Sequence, residues 1–264
     1  LSNLQTFLQK CRDWKLTILD LPTAYWHQLT SELAMTDLVL PESLRLVIIG
    51  GERALPERVQ TWQKVVGTHP QLVNTYGPTE ATVYKLPASA PEDTALPEVP
   101  IGRPLRYVQA YVLDKYLRLT PAGVPGELHI GGVSLARGYL NRPELTGEKF
   151  IPNPFSDEPG ARLYKTGDLV RYLSDGNIEF LGRIDNQVKI RGFRIELGEI
   201  EAVLGQHLAV RETVVIATED YLGDKRLVAY IIPQSDRVPT ASELRSFLKE
   251  KLPNYMVPSV FRTL

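Results

Sequence analysis

The hydrophobic positions of this chain change their period twice along its length, and each change predicts a different kind of layer. Up to about residue 86, short apolar runs (Leu16 to Leu19, Leu44 to Ile49, Leu72 to Thr75) alternate with stretches of helical period. Such runs predict strands covered on both faces of a sheet, with Pro22 and Pro56 opening two of the intervening helices. From about Pro87 to Arg183 prolines and glycines recur, and the runs shorten to Val108–Leu113, Glu127–Ile130, Leu169–Tyr172 and Ile178–Phe180. These predict a small β-rich, barrel-like layer, with Asp175-Gly176 as a hairpin turn between two strands.

Beyond Asp185 a third pattern begins. Val188 and Ile190, then Phe193, Ile195 and Leu197, keep a period of two on either side of Arg191-Gly192, which predicts a hairpin. Gly198 is expected to end its second strand. Glu199 and Glu201 are expected to open a helix over Ile200–His207, where acidic side chains suit the unpaired N–H groups of a first turn. Strands over Thr213–Ala217 and Leu227–Ile232 and a helix over Ala241–Lys251 complete a compact α+β unit. The expected division is therefore residues 1–184, layered near residues 86 and 87, and residues 185–264. The chain opens on an amphipathic pattern without a cap and breaks off in a strand-like run, Val260 to Leu264, so both ends are expected to continue into something larger.

Composition narrows the function more than the fold. Among 264 residues, 30 Lys and Arg nearly cancel 31 Asp and Glu, which argues against a nucleic-acid partner or an anionic membrane surface. One cysteine, Cys11, cannot form an internal disulfide, and no 18-residue apolar run is present. A cytoplasmic location is the expectation, with Cys11 packed beside a helix. The four histidines lack metal-ligand spacing and read as structural.

Three stretches carry candidate chemistry. Asn74-Thr75-Tyr76-Gly77-Pro78-Thr79-Glu80 places an aromatic ring, a turn, a hydroxyl and a carboxylate at the end of an expected buried strand. Those parts can stack a base, contact a phosphate and hold magnesium, or they can be a capped Gly-Pro turn. Tyr164-Lys165-Thr166-Gly167-Asp168 precedes an expected strand, where an aspartate can accept from both ribose hydroxyls or simply finish a turn. Gly50-Gly51, after another strand, could admit a substrate close to the backbone. No P-loop, dinucleotide fingerprint or nucleophile elbow occurs.

Taken together and in order, Asn74–Glu80, Tyr164–Asp168, Gly182–Glu201 and Leu252–Pro258 resemble the adenylation domains of nonribosomal peptide synthetases, within the acyl-adenylate-forming enzymes. The resemblance runs the whole length but covers only the carboxyl-terminal half or so of such a domain. The family's phosphate loop would lie upstream of Leu1, and its Lys-bearing segment beyond Leu264. The resemblance implies the adenylate-forming fold, an α/β and β-barrel-like body followed by a small α+β lid domain, incomplete at both ends. It implies ATP and AMP as nucleotides, a magnesium ion, and phosphopantetheine on a partner carrier domain.

The same resemblance implies roles residue by residue. Tyr76 would stack on adenine, with Asn74 and Gly77 beside the nucleotide; Thr79 would touch the α-phosphate, and Glu80 would hold magnesium. Asp168 would bind the ribose hydroxyls, with Phe180 and Arg183 completing that pocket. Asp185 would be the hinge of the lid, and Lys189 with Gly192 would swing toward the site in the thioester-forming pose. A side-chain pocket would comprise Asp20, Ile48, Gly50, Thr75, Val83 and Tyr84, although Asp20 could equally cap the helix expected at Pro22.

The leading expectation is an enzyme domain that activates an amino acid as aminoacyl-AMP and passes it to a peptidyl carrier, next to a condensation domain. An acyl- or aryl-CoA ligase shares the fold and stands second. A non-catalytic partial domain that only contacts its neighbours is the alternative of a different class.

Overall fold

A computed structural model of the chain describes residues 3–81, 84–87 by their backbone, 99–219, 225–234 and 238–264. Two compact units divide it, Leu1–Asp185 and Asn186–Leu264, one residue on from the boundary read in the sequence.

The first unit begins with α1 (Leu4–Asp13), β1 (Ile18–Pro22), α2 (Thr23–Met35), β2 (Leu46–Gly50), α3 (Pro56–Val65) and β3 (Gln71–Tyr76). β1, β2 and β3 are parallel, and their register aligns Asp20 with Ile48 and Pro22 with Gly50 and Thr75. β4 (Tyr84–Pro87) and β5 (Arg103–Pro104) extend this sheet, with β4 antiparallel to β3 and β5 antiparallel to β4. The helices form because Leu4, Leu8 and Cys11 recur along one side of α1, and Trp26, Leu29 and Leu33 along one side of α2. They pack with Leu19, Leu21, Val47 and Ile49 in one core. Trp26 and Trp62 meet in that core at 5.8 Å between ring centroids, and truncating either to alanine would cost about 3–5 kcal/mol.

Among the described residues these helices cover one face of β1 and β2, where the sequence predicts cover on both, while β3 is buried at the successive positions Leu72, Val73 and Asn74. Ile18, Asp20 and Pro22 are exposed while Leu19 and Leu21 are buried, and β2 alternates half-buried with buried positions. A continuous apolar run marks a strand, but whether its second face is covered depends on which elements come to lie there. Pro22 is the N-cap of α2 rather than its first residue, and no side chain caps that end, so Asp20 is not a cap.

The second sheet contains β6 (Val108–Leu113), β7 (Gly126–Gly132), β8 (Phe150–Pro152), β9 (Arg162–Tyr172) and β10 (Ile178–Arg183), with α4 (Pro143–Lys149) leading into β8. Its order is β10-β9-β7-β6, and β8 adds to β9. Tyr164–Asp168 therefore lies inside an eleven-residue strand rather than before one. The Asp175-Gly176 turn joins β9 to β10, with Gly176 at φ 81 and the Asp175 carboxylate accepting the Asn177 N–H at 2.9 Å.

The second unit opens with the expected hairpin, β11 (Gln187–Ile190) and β12 (Phe193–Glu196). Arg191 at φ 53 and Gly192 at φ 80 form its two-residue turn, whose double positive φ matches the strands' twist. α5 (Leu197–Leu204) follows directly, so Gly198 lies within its first turn and does not end a strand. β13 (Val210–Glu219), β14 (Lys225–Pro233), α6 (Ala241–Lys249) and β15 (Val260–Thr263) complete the unit, with β15 parallel to β14. Thr240 caps α6 by accepting the Glu243 N–H at 3.2 Å. Among the described residues no helix is long and apolar enough to cross a membrane.

Candidate active site

Asp168 is the centre of the first unit's polar cluster. It is a carboxylate only 4% exposed, and a buried charge is tolerated only when paired and hydrogen-bonded. Both of its oxygens have partners. The Tyr76 hydroxyl donates to Oδ2, and Arg183 Nη1 donates to Oδ1 at 2.8 Å. Below it, the Thr166 hydroxyl accepts the Asp168 N–H at 3.0 Å and donates to the Leu128 carbonyl at 2.7 Å.

Arg183 reaches Asp168 because β10 carries a bulge. Phe180 pairs with Val170, but Gly182 then pairs with Leu169 and Arg183 with Asp168, leaving Leu181 as the extra residue. Without that insertion Arg183 would fall opposite Gly167 and its side chain on the other face, since side chains alternate along a strand. Arg183 also donates to the Thr166 carbonyl and, through Nε and Nη2, to Asp185. Burial works against its charge, but the bonds to Asp185 and Asp168 outweigh burial and hold the guanidinium protonated.

Gly167 makes this arrangement possible. Its φ of 72° suits glycine, and a Cβ there would lie 2.8 Å from Arg183 Nη2 and from Asp185 Oδ2. Its N–H donates to Glu127 Oε1 at 3.0 Å.

Glu80 occupies a second group on the turn after β3. Tyr139 donates its hydroxyl to Glu80 Oε1 at 2.7 Å, and that hydroxyl lies 3.4 Å from the hydroxyl of Tyr164. Burial first, then the bonds to Tyr164 and Glu80, push the Tyr139 phenol far above its ordinary pKa, so it remains a donor. Thr79 and Gly77 are exposed beside Glu80. Asn74 is buried, and its amide donates weakly to the Pro100 carbonyl at 3.4 Å. Phe180 is half-buried against the second sheet's core, which also includes Tyr76.

The expected side-chain pocket is partly brought together by register. Asp20 pairs with Ile48, Gly50 pairs with Thr75 two residues further along β2, and Asp20 and Ile48 belong to the face the helices leave uncovered. Over Gly50 the nearest atoms are those of Thr75, whose hydroxyl donates to the Ile49 carbonyl at 2.9 Å. Gly50 thus makes room for Thr75. Tyr84 is described only by its backbone, paired with Tyr76, and Val83 lies outside the described residues. Lys189 sits on β11 of the second unit, opposite Arg194.

Sequence reasoning misses Tyr139 and Glu127, which the structure ties to Glu80 and to Gly167. Each acts through a partner distant in the chain, and no local spacing marks it. Gly182, a glycine inside a strand beside an arginine, is the one available hint of the bulge.

The chain matches the AMP-binding enzyme family over residues 2–140 and the AMP-binding enzyme C-terminal domain over residues 199–264. It is 46% identical over 251 residues to tyrocidine synthase 1 of Brevibacillus parabrevis, a match spanning 94% of this chain and 21% of that protein. It is also 46% identical over 246 residues to the dimodular nonribosomal peptide synthase of Bacillus subtilis (strain 168), spanning 92% of this chain and 10% of that protein. Among solved structures it resembles the amide bond synthetase McbA from Marinactinospora thermotolerans, with TM-score 0.84 and 25% identity over 100% of this chain and 51% of that one. It also resembles NpsA-ThdA, an artificially fused adenylation-PCP di-domain from Klebsiella oxytoca, with TM-score 0.79 and 28% identity over 99% of this chain and 47% of that one. The chain therefore spans a small part of these curated relatives and about half of these solved structures.

Proposed function

The chain belongs to the AMP-binding enzyme family, and from that premise we propose that in its native protein it forms part of an adenylation domain of nonribosomal peptide synthesis. There the carboxylate of an amino acid attacks the α-phosphorus of ATP, and pyrophosphate leaves. The carrier-domain phosphopantetheine thiol then attacks the aminoacyl carbonyl, and AMP leaves. AMP is a far better leaving group than hydroxide, which is what activation achieves.

The observation that carries this reading is the meeting of Tyr76 and Arg183 on the Asp168 carboxylate, three residues drawn from three separate motifs. A carboxylate offers about four acceptor positions, so Asp168 can receive ribose hydroxyls in addition to its two protein partners. Tyr76 and Phe180 supply rings for the base, with Asn74 and Gly77 beside the nucleotide, and Arg183 adds positive charge next to the ribose. Thr79 contacts the α-phosphate.

Glu80 would hold magnesium. Among the described residues no group of three potential ligands exists. That fits magnesium, which is bound through one or two carboxylates together with substrate phosphates and water. When bound, the ion would neutralise charge on the phosphates. Asp20, Ile48, Gly50, Thr75, Val83 and Tyr84 form the amino-acid pocket in this reading. Asp185 is the hinge, and Lys189 belongs to the thioester-forming pose. A peptidyl carrier and a neighbouring condensation domain are the partners, in the cytoplasm.

ATP–pyrophosphate exchange by the full-length native protein, screened over amino acids, tests the first step. Exchange that depends on one amino acid is expected, and its absence for every amino acid would defeat the reading. Loading of carrier thiol in preference to coenzyme A would separate it from an acyl-CoA ligase, whose support is weaker because a relative matched over most of this chain is a nonribosomal peptide synthase.

A further inference from the structure

Building on the magnesium role of Glu80, we propose that Tyr139 is a positioning residue whose hydroxyl fixes the Glu80 carboxylate for the metal. The strap Leu135–Tyr139 leaves the second sheet and is tied to the turn after β3 at three points. Ala81 bridges Leu135, the Ala136 N–H donates to the Glu80 carbonyl at 2.9 Å, and the Tyr139 hydroxyl donates to Glu80 Oε1 at 2.7 Å. Backbone and side chain of the same glutamate are thus held by one segment.

The donor is itself firmly placed. Arg162 donates to the carbonyls of Ala136 and Arg137 at 3.0 and 2.9 Å. The Tyr139 N–H donates to Thr146 Oγ1 at 2.9 Å, and the ring stands edge-on to Phe150 with centroids 5.7 Å apart. Gly138, at φ 150°, takes a backbone conformation that suits glycine and lets Thr146 approach. A flexible glutamate on a turn samples many directions; one acceptor oxygen tied to a rigid phenol has few. Tyr139 need not touch substrate. It acts by orienting the group that does.

The test uses the full-length native protein and the variants Tyr139→Phe, Glu80→Gln and the double substitution. Mn2+ binding is followed by electron paramagnetic resonance in the presence of α,β-methylene-ATP, and thermal unfolding is recorded alongside. Tyr139→Phe is expected to weaken Mn2+ binding by about tenfold, as losses around the ligands of a metal do. Its effect should vanish in the Glu80→Gln background. If Glu80→Gln weakens Mn2+ and Tyr139→Phe does not, this inference falls while the role of Glu80 stands. If neither weakens it, the role of Glu80 falls and this inference with it. An equal loss in the Glu80→Gln background would show that Tyr139 acts elsewhere and would overturn the proposal. Should Tyr139→Phe not fold, Thr146→Val, which removes the acceptor of the Tyr139 N–H together with the hydroxyl's own bond to the Arg142 carbonyl, decides: weaker Mn2+ binding that vanishes in the Glu80→Gln background supports the proposal, and unchanged binding overturns it.

Discussion

The Tyr76 hydroxyl donates to the Asp168 carboxylate and so joins β3 of the first sheet to β9 of the second across 92 residues of sequence. The bond ties two layers that share no strand, at the point where the candidate nucleotide site is assembled. With Arg183 on its other oxygen, Asp168 is oriented by the fold before any ligand arrives.

Asp168→Ala in the full-length protein should therefore do two things at once. It should lower kcat/KM for ATP by about 10- to 100-fold, the loss of a hydrogen bond to a charged group worth about 1.5–3 kcal/mol. It should also destabilise the fold, because it leaves Arg183 partly buried with one anionic partner fewer. Tyr76→Phe should cost stability alone in larger proportion. ATP–pyrophosphate exchange and chemical denaturation measure the two effects; an unchanged ATP KM and kcat in Asp168→Ala would remove that residue from the site.

Gly167→Ala and Gly182→Ala form a matched pair. Both positions have positive φ, but a Cβ at Gly167 meets Arg183 and Asp185 while at Gly182 it meets nothing within 4 Å. Backbone strain alone costs about 1–3 kcal/mol. Gly167→Ala should exceed Gly182→Ala in urea denaturation and should also impair ATP use by displacing Arg183. Equal losses would mean that the close approach at Gly167 carries no weight.

Asp185→Pro tests the proposed hinge. Proline fixes φ near −65°, so only one pose of a moving joint would stay easy to reach. Preformed aminoacyl-AMP followed through carrier loading, separately from adenylate formation, should reveal a loss confined to one half-reaction. Asp185→Ala, which likewise removes the carboxylate that accepts from Arg183, is the control, and the same pattern of losses in both variants would argue that Asp185 does not move.

His27 predicts how stability depends on pH. Its Nε2 accepts the Leu55 N–H at 3.2 Å, and burial first, then the Arg58 guanidinium, push its pKa down to about 4, with Glu57 opposing. The folded state thus binds this proton less readily than the unfolded chain. The contribution is fully present above pH 6.5, the ordinary value, and is lost as pH falls toward about 4. The slope attributable to this one group approaches about 1.4 kcal/mol per pH unit. His27→Gln keeps an acceptor for Leu55 and should flatten that part of a denaturation-against-pH curve; an unchanged slope would place the titration elsewhere.

Much of the molecule is legible from local chemistry. The hairpin around Arg191-Gly192 can be read because its two strands keep a strict period of two and its turn demands positive φ, both properties of a few neighbouring residues. The runs that form β1, β2 and β3 can be read because they are short, apolar and set between stretches of helical period, and the Asp175-Gly176 turn because glycine suits its positive φ. The family motifs stand in order along the chain, so candidate site residues can be named from it.

The surroundings of the candidate residues come from contacts between distant segments. Asp168 looks like an ordinary turn aspartate in the sequence, yet its burial is possible only because Tyr76 and Arg183 arrive from 92 residues before and 15 residues after. The bulge that aims Arg183 inserts one residue into β10, and only pairing with β9 makes it visible. Tyr139 reaches Glu80 across 59 residues, and the exposure of Asp20 beside buried Leu19 and Leu21 follows from the side on which three helices pack. Period and turn propensity are properties of neighbours along the chain. A buried charge, by contrast, is stable only through partners that packing brings near it, and packing is decided by the whole fold.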